Sequence, residues 1–390
     1  MSLRTESVAD VGLLSPVWVG TFAEALTSDR EVLDSMVLFE AMLARALHEH
    51  GLAPRAGGFD GDVVADARRL ARDAVAPGNP TVPVVAALRE AAQDGAGAIH
   101  HGATSQDVVD SALMLVASMV LRETERTLAA LAGRLAALAD LHRDTPCVAR
   151  TLTQQAMPTT VGFRVAGWLA GVLDALDLVR GCLPLPVSLG GPVGTAAAYG
   201  ATGPAVVASV ADALGLAAPV ICWHTRRTPV LTLGTAMVAV GEATGRIAAD
   251  LLLMAQTEVG EASDGSAGAS SAMAHKANPI RSVLVASAAR QLPGLLAIVA
   301  SSGAGASERP AGEWHAEWQP LRTMLRLGGA AAERTADIAA DLRFDEAAMR
   351  RNLDLLVDAV GEDQDWVTAQ TAHVDVWIDR VLARHEEMLR

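Results

Sequence analysis

The sequence predicts an all-α protein built around a central bundle of long helices, and three observations point to it. The 390 residues are 51% hydrophobic but only 3% aromatic, so the core must use Ala, Val and Leu, which suits closely packed helices. Long stretches place apolar residues at helical spacing without Gly or Pro breakers. Several predicted helices exceed the average globular length, which indicates a bundle shared between subunits.

The first helix is predicted by Ser28 and Glu31, which form a capping-box pair, and Gly51 predicts its end. Short helices are expected between 62 and 94, where Gly and Pro interrupt the pattern. The stretch from Asp107 to Leu141 predicts a helix of about 50 Å, because each residue adds 1.5 Å.

Further helices are predicted over 158–179, 229–259, 279–302 (kinked near Pro293) and 321–342, and the tail predicts two shorter ones. We therefore expect three parts: an N-terminal helical domain, a central long-helix bundle and a short C-terminal helical region. Their boundaries are 1–104, 105–342 and 343–390.

The net charge of −14 excludes nucleic acid as an expected partner, because no basic stripe is present to meet phosphates. An anionic substrate would need a local cationic pocket. Cys147, Cys182 and Cys222 lack metal spacing and are interpreted as reduced core thiols. The N-terminus shows no secretory pattern, and no apolar run of about 20 residues is free of Gly, Pro and charge. We expect a cytoplasmic protein without membrane attachment, metal or cofactor.

A Gly- and Ser-rich loop, 260–268, leads into the segment ASSAMAHKANP at 269–279, which is the main candidate for chemistry. Asn278 is a good N-cap and Pro279 a good first helical residue, so a helix should begin here. Its free N–H groups and Lys276 would face an anion, and Ser270 could lose its proton more easily there. An ordinary linker with a helix cap remains the simpler interpretation.

Five other segments carry polar groups at helix entries or Gly-rich turns. HGATSQD (101–107) could hold a carboxylate on Thr104 and Ser105, or could simply cap the long helix. The other four also have purely structural interpretations as turns or packing clusters. They are RTLTQQAMP (150–158), SLGGPVGT (188–195), WHTRR (223–227), and ERP with GEWHAEW (308–318).

Together these segments resemble the fumarase/aspartase superfamily, in order and across residues 5 to 340. The loop at Ser270 is similar to its signature GSSxMPxKxNP. HGATSQD resembles a motif of adenylosuccinate lyases and their cycloisomerase relatives. The set TLTQQAMPTT, LGGPVGT, WHT-R and EWHAEW is most similar to the bacterial 3-carboxy-cis,cis-muconate cycloisomerases.

The resemblance implies an all-helical homotetramer whose active sites each draw on three subunits. It also implies that Ser270 is the proton donor or acceptor and that Lys276 and Asn278 stabilise an aci-carboxylate intermediate. Substrate-binding residues carried over by position are His101, Thr104, Ser105, Gln155, His224, Ser271, Met273 and Arg309. The implied substrate is a small tricarboxylate. Ala269 and Ala274 depart from the signature, where Gly and Pro are usual, and the C-terminal region is short.

Leu152 bears on which classes of reaction fit this chain. Amine- and water-releasing relatives place a His in this segment, and that His protonates the leaving group. A carboxylate, with a pKa near 4, leaves as an anion without that proton. The leading hypothesis is therefore a cycloisomerase that closes 3-carboxy-cis,cis-muconate to 4-carboxymuconolactone. A lyase that releases a weakly basic anion such as nitrite is the alternative, and an adenylosuccinate lyase is disfavoured. A structural protein that lost catalysis is the third hypothesis.

Overall fold

Residues 11–54, 66–266, 268–269 and 276–388 are described by the computed structural model, and helices dominate these ranges. The α-helices in chain order are α1 (Phe22–Leu26), α2 (Asp29–Glu49), α3 (Ala67–Asp73), α4 (Thr81–Ala92), α5 (Ser105–Leu141), α6 (Val161–Gly181), α7 (Gly203–Leu214), α8 (Thr228–Met254), α9 (Ile280–Ser301), α10 (Glu313–Asp341), α11 (Glu346–Val360), α12 (Gln364–Thr371) and α13 (Asp375–Met388). Two 3₁₀ helices, Gln93–Ala98 and Ala197–Thr202, lie between them.

Short strands accompany the helices of this all-α fold. In the described ranges they form three antiparallel pairs, β1 with β2, β3 with β6 and β4 with β5. The strands are β1 (Pro146–Thr151), β2 (Gln154–Thr160), β3 (Ala262–Ser263), β4 (Gly268–Ala269), β5 (Ala277–Asn278) and β6 (Arg343–Phe344). The fold nonetheless remains mostly helical, as predicted.

The long central helix is confirmed as α5, which has 37 residues and therefore spans about 55 Å. Every residue from Gln106 to Ser118 along its N-terminal half is buried, because other helices surround it. It packs against α2, α6 and α10. Asp107 caps its first turn by accepting the backbone N–H of Thr104 at 3.0 Å.

Helices α6 and α10 pack against α5, and α8 and α9 pack against α10. The resulting bundle has two ends. At one end, Arg227 just before α8 and Trp314 in the first turn of α10 both bind Asp110 near the start of α5. At the other end, Met254 at the end of α8 lies against Arg164 of α6, close to the β1–β2 hairpin.

Several predicted boundaries are wrong, and most errors lie where a helix was expected to begin at a proline. Segment 150–158 was expected to be a helix-entry turn but forms the β1–β2 hairpin, so α6 begins only at Val161, where Thr160 caps it. Helix α8 ends at Met254 instead of 259, and α10 begins eight residues early, at Glu313, with Pro320 inside it. The tail contains three helices instead of two.

Helix α9 has an unusually apolar surface for its position. It packs on α8 and α10, yet Ile280, Val283 and Ile298 are each more than 40% exposed. Among the described residues it is the one helix long and apolar enough to cross a membrane by length and composition, and only 22% of its most apolar window is buried. Arg281, Arg290 and Pro293 interrupt its sequence, so a second protein surface is a better match for it than lipid.

Candidate active site

The predicted segments at the first end of the bundle meet at the carboxylate of Asp107, which is completely buried. Oδ1 accepts the N–H of Gly190 at 2.8 Å and lies 2.6 Å from Nε2 of His224, while Oδ2 accepts the N–H of Gly191 at 2.9 Å. Oδ2 also accepts the N–H of Thr104. One side chain thus fixes the starts of three predicted segments relative to one another.

A second buried carboxylate group lies one helical turn further along α5. Asp110 forms a two-pronged ion pair with Arg227 at 2.7 and 3.0 Å, and the same guanidinium binds Glu317 of α10 at 2.7 Å. Trp314 donates to Asp110 at 3.0 Å. Burial raises the pKa of Glu317 although Arg227 opposes this shift. The GEWHAEW segment therefore belongs to a helix and supports the site through Trp314 and Glu317.

Arg309 connects this buried network to the surface. Its side chain donates to Oε1 of Gln106 at 3.2 Å and to the carbonyl of Pro192 at 3.2 Å, and the residue is exposed. Gln106 in turn donates to the carbonyl of His224 at 2.9 Å. The guanidinium of Arg309 is thus held at the protein surface beside the buried network, where it can bind an anion from solvent.

The remaining predicted residues of this end surround Arg309 and Asp107. Thr104 and Ser105 are partly buried at the start of α5, and His101 is exposed. The carbonyl of His101 accepts the hydroxyl of Tyr199 at 3.0 Å. We call this set, from His101 to Asp110 with Gly190, His224, Arg227, Arg309 and Glu317, the network end.

His224 carries a positive charge at neutral pH in this environment. Burial alone would lower its pKa, but the hydrogen bond and charge of Asp107, helped by Cys222, raise the pKa to about 9. A histidine at position 224 is therefore a fixed cation inside a chain of net charge −14. Its charge is balanced by the carboxylate of Asp107, which lies 2.6 Å from Nε2.

Gln155 lies at the opposite end of the bundle, on the β1–β2 hairpin. Its side chain is exposed and donates to the carbonyl of Asn352 in α11 at 3.4 Å. Arg150 of the same hairpin forms a two-pronged ion pair with buried Glu261 at 2.6 and 2.8 Å, and Asn352 donates to Glu261 at 2.8 Å. These contacts fix the hairpin to the start of the loop that leads to Ser270.

The start of α9 differs from the prediction. Pro279, not Asn278, is the N-cap, and Asn278 belongs to β5, where it pairs with Gly268. The N–H groups expected to face a bound anion are taken by the chain itself. Asp264 accepts the N–H and hydroxyl of Ser282 at 3.0 and 2.9 Å.

The same cap is completed by Ser266, whose hydroxyl accepts the N–H of Arg281 at 3.1 Å. Burial raises the pKa of Asp264, but hydrogen bonds from Ser266 and Ser282 outweigh it and hold the pKa below its ordinary value. The positive end of α9 is therefore occupied by a carboxylate of its own chain.

Lys276 is exposed and Asn278 partly buried, both at this second end. Ser270, Ser271 and Met273 lie outside the described residues. The strands β4 and β5 bring the two sides of their loop together, since Ala269 pairs with Ala277. We call this set, the β1–β2 hairpin with Glu261, Asp264, β4, β5 and the start of α9, the hairpin end.

The two ends are far apart within one chain. Helix α5 spans about 55 Å between Ser105 and Leu141. The hairpin base adjoins the far end of α5, because the N–H of Gly162 binds the carbonyl of His142 at 2.8 Å. Six residues of β1 reach at most about 20 Å from that base. Thr104 and Gln155 of one chain are therefore at least about 30 Å apart.

A family model described as lyase (Lyase_1) matches residues 80–294, more than half of the chain. The chain belongs to the fumarase/aspartase superfamily of lyases. The chain is 40% identical over 379 residues to nitrosuccinate lyase of Streptomyces davaonensis, and the match covers 91% of this chain and 79% of the relative. It is 36% identical over 345 residues to 3-carboxy-cis,cis-muconate cycloisomerase of Pseudomonas aeruginosa, covering 85% and 75%.

A solved structure agrees with this membership. The 3-carboxy-cis,cis-muconate lactonizing enzyme from Pseudomonas putida superposes with a TM-score of 0.86 at 28% identity, covering 97% of this lyase and 100% of that chain. The superfamily resemblance drawn from the motifs is therefore confirmed, and this lyase is an enzyme of the superfamily.

Sequence reasoning missed the residues that hold this lyase's network end together. Asp107 was assigned only a capping role, and Asp110, Tyr199 and Asp264 were not singled out. A signal for two of them was available, because Asp107 and Asp110 interrupt an otherwise apolar helix, and buried carboxylates require partners. Within the described residues, no group of three or more His, Cys, Asp or Glu side chains could hold a metal ion.

Proposed function

We propose that this protein moves a proton at a carbon next to a carboxylate while a carboxylate adds to the neighbouring carbon, closing 3-carboxy-cis,cis-muconate to its lactone. The observation that carries the proposal is Leu152 at the tip of the hairpin. This residue is 95% exposed and held at φ 50°, a conformation unusual for Leu. The hairpin therefore presents an apolar group where a proton donor would stand in amine- or water-releasing relatives.

A reaction without that donor needs an attacking or leaving group that is stable as an anion. A carboxylate meets this requirement, since its pKa lies near 4. Membership of the superfamily and 36% identity to a cycloisomerase support the same reaction.

In this proposal Ser270 delivers the proton, and Lys276 and Asn278 stabilise the aci-carboxylate intermediate. The ammonium group of Lys276 is exposed on the surface of its chain, where a substrate carboxylate can reach it. Substrate carboxylates are held at the network end by Arg309, His224 and the hydroxyls of Thr104 and Ser105. His101, Gln155, Ser271 and Met273 complete the pocket.

The separation of the two ends supports a site built from more than one chain, since Thr104 and Gln155 cannot meet within one copy. We propose a homotetramer in which the apolar face of α9 lies against other copies. Light scattering of the purified protein should give about 160 kDa, four times the chain mass of 40.4 kDa. A particle of monomer mass that is fully active would contradict this assembly.

A second candidate is supported by the relative at 40% identity: elimination of nitrite from nitrosuccinate. Nitrite is also a weakly basic leaving group and tolerates Leu152 equally well. In this proposal both reactions use Ser270, Lys276 and Asn278. They differ in the group on the neighbouring carbon and in direction, because Ser270 takes a proton in the elimination and delivers one in lactone formation.

The two substrates should be assayed side by side, by ultraviolet absorbance, with wild type, Ser270→Ala and Ser301→Ala. Ser301 is an exposed serine at the end of α9 and serves as the matched control. We expect lactone formation that falls more than about 10³-fold in Ser270→Ala and stays unchanged in Ser301→Ala. Faster turnover of nitrosuccinate would favour the second candidate. Equal rates in wild type and Ser270→Ala on both substrates would refute both.

A further inference from the structure

A cavity of about 210 Å³ lies between the start of α6, the last turns of α8 and the β1–β2 hairpin. It is smaller than a pocket for a drug-sized ligand, so it has room for a small molecule only. Phe163 is 41% exposed and the side chain of Arg246 69% exposed, so the cavity is open to solvent. Its described lining includes none of the residues assigned to the proposed active site, which makes it a separate candidate site.

The charges that line this cavity are mainly positive, with three guanidinium groups against one carboxylate. Arg150 is balanced by buried Glu261 at 2.6 Å, and Arg246 binds the lining carboxylate, Asp250, at 3.1 Å. Asp250 also accepts the indole N–H of Trp168 at 2.8 Å. A local excess of positive charge therefore remains, in a chain of net charge −14.

That excess charge belongs to Arg164, which forms no ion pair with any residue that the structure describes. One guanidinium nitrogen donates to the carbonyl of Val148 at 2.8 Å, and the other terminal nitrogen contacts the sulfur of Met254 at 3.5 Å. A thioether is a weak acceptor, and a partly buried charge is normally paired. The carbonyl fixes the guanidinium in place and leaves N–H groups that can bind an anion from solvent.

The remaining wall of the cavity is largely apolar. Ala149, Phe163, Leu253 and Met254 supply it. A guanidinium group holds a carboxylate through two parallel hydrogen bonds, and an aromatic ring beside it offers a large apolar surface. A cation next to such a wall matches a ligand with a carboxylate at one end and an apolar group at the other.

We propose that this cavity binds a small carboxylate with a flat apolar body. The carboxylate pairs with Arg164, and the apolar body lies against Phe163 and Leu253. A bare oxyanion would use the guanidinium but not the wall, so it should bind more weakly.

The test is isothermal titration calorimetry of the intact protein with three probes, benzoate, acetate and inorganic phosphate. Benzoate carries both groups that the cavity matches, and the other two carry only the anionic one. We expect benzoate to bind with a Kd of about 1 mM or below, and acetate and phosphate to bind at least about 10-fold more weakly. Phosphate binding as tightly as benzoate would show that the apolar wall is not used.

Two variants separate the contributions of charge and wall. Arg164→Met should weaken benzoate binding at least about 10-fold, because the paired carboxylate loses its cation. Phe163→Ala should weaken benzoate binding but leave acetate binding unchanged. Arg45→Met, which removes an exposed arginine paired with Glu49, is the matched control and should bind benzoate like wild type.

Arg164→Lys provides a second substitution if Arg164→Met does not fold. It keeps the charge but loses the two parallel hydrogen bonds, so benzoate should again bind more weakly than to wild type.

Three results would overturn the proposal. The first is the absence of benzoate binding to wild type, or equal binding to Arg164→Met. The second is loss of benzoate binding in Arg309→Ala, which would assign the ligand to the network end. The third is a smaller particle in light scattering of Arg164→Met, which would assign this guanidinium to a contact between copies of the chain.

An occupied cavity should also restrain the hairpin, because Arg164 holds the carbonyl of Val148 and Arg150 lines the cavity. Leu152 and Gln155 lie on the same hairpin, so saturating benzoate should lower turnover in wild type but not in Arg164→Met. This consequence rests on the proposed function, whereas binding does not. Binding without any change in turnover would refute the link to the hairpin. Failure of the muconate and nitrosuccinate assays would leave the calorimetric result unaffected.

Discussion

The network end and the hairpin end of the bundle differ in where their charged side chains lie. At the network end, Asp107, Asp110 and Glu317 are buried and each is paired with His224 or Arg227. At the hairpin end, one buried ion pair, Arg150 with Glu261, anchors an exposed hairpin tip, while Lys276 faces solvent. The charged side chains of the network end are therefore held in place by buried partners, whereas the hairpin end exposes its tip and Lys276 to solvent.

This contrast supports the proposed division of the site between copies of the chain. Buried, fully paired charges hold the proposed substrate-binding surface in place but cannot reach across about 30 Å to Gln155 or Lys276. Exposed groups on a hairpin and a loop can enter a neighbouring copy. In the account proposed, each chain supplies a binding half at one end and a reacting half at the other.

The largest expected effect comes from Arg227→Met, because two buried carboxylates lose their common partner. We expect a loss of about 3–5 kcal/mol in the free energy of unfolding, measured by urea denaturation. Arg150→Met should cost less, because Asn352 still donates to Glu261. Arg45→Ala, in an exposed pair with Glu49, is the control and should cost about 0.3–0.5 kcal/mol. Equal losses for Arg227→Met and Arg150→Met would remove the contrast between the two ends.

The next effect is a pH dependence at the network end. The pKa of His224 is about 9 in the folded chain, above the unfolded value of about 6.5. Its stabilisation is therefore complete below about pH 6.5 and is lost as the pH rises through about 9, on the order of 3 kcal/mol. Unfolding at pH 6 and pH 9.5 should show this loss in wild type but not in His224→Asn. A loss of the same size in the variant would assign it to another group.

Asp264 gives the hairpin end the opposite pH dependence. Because its pKa lies below the ordinary 3.8, its stabilisation is present above that value and is lost as the pH falls through the folded pKa. Asp264→Asn should cost about 1–2 kcal/mol of the free energy of unfolding at pH 7, and this cost should shrink as the pH falls through the folded pKa. Ser263→Ala, at the exposed neighbour, is the control. A cost that did not change with pH would show that shape, not charge, matters at the start of α9.

The smallest effect is expected at the hairpin tip. Leu152 and Thr153 both have positive φ, at 50° and 69°, which costs a non-Gly residue about 1 kcal/mol. Leu152→Gly should therefore raise the free energy of unfolding by up to about 1 kcal/mol. Turnover should fall if Leu152 contacts substrate. An unchanged rate would show that the tip stands outside the site.

Much of the helical framework could be predicted, because Ser28, the long apolar pattern of α5 and the breakers around 51 and 80 act locally. The hairpin could not, since the turn at Leu152 and Thr153 uses residues that rarely adopt positive φ. The cap of α9 was also unpredictable, because Asp264 is 18 residues from Ser282 in sequence. Candidate site residues near helix starts were predicted by motif, whereas Asp110, Arg227 and Glu317 meet only through the packing of α5, α8 and α10.

The division of the site between chains is tested most directly by co-expressing Thr104→Ala and Ser270→Ala under different tags and purifying the doubly tagged assembly. Each variant alone should be inactive. If the two halves come from different copies, some sites in the mixed assembly are intact, and up to about one quarter of wild-type activity should return. Doubly tagged assemblies that form but show no more activity than either variant alone would contradict the account.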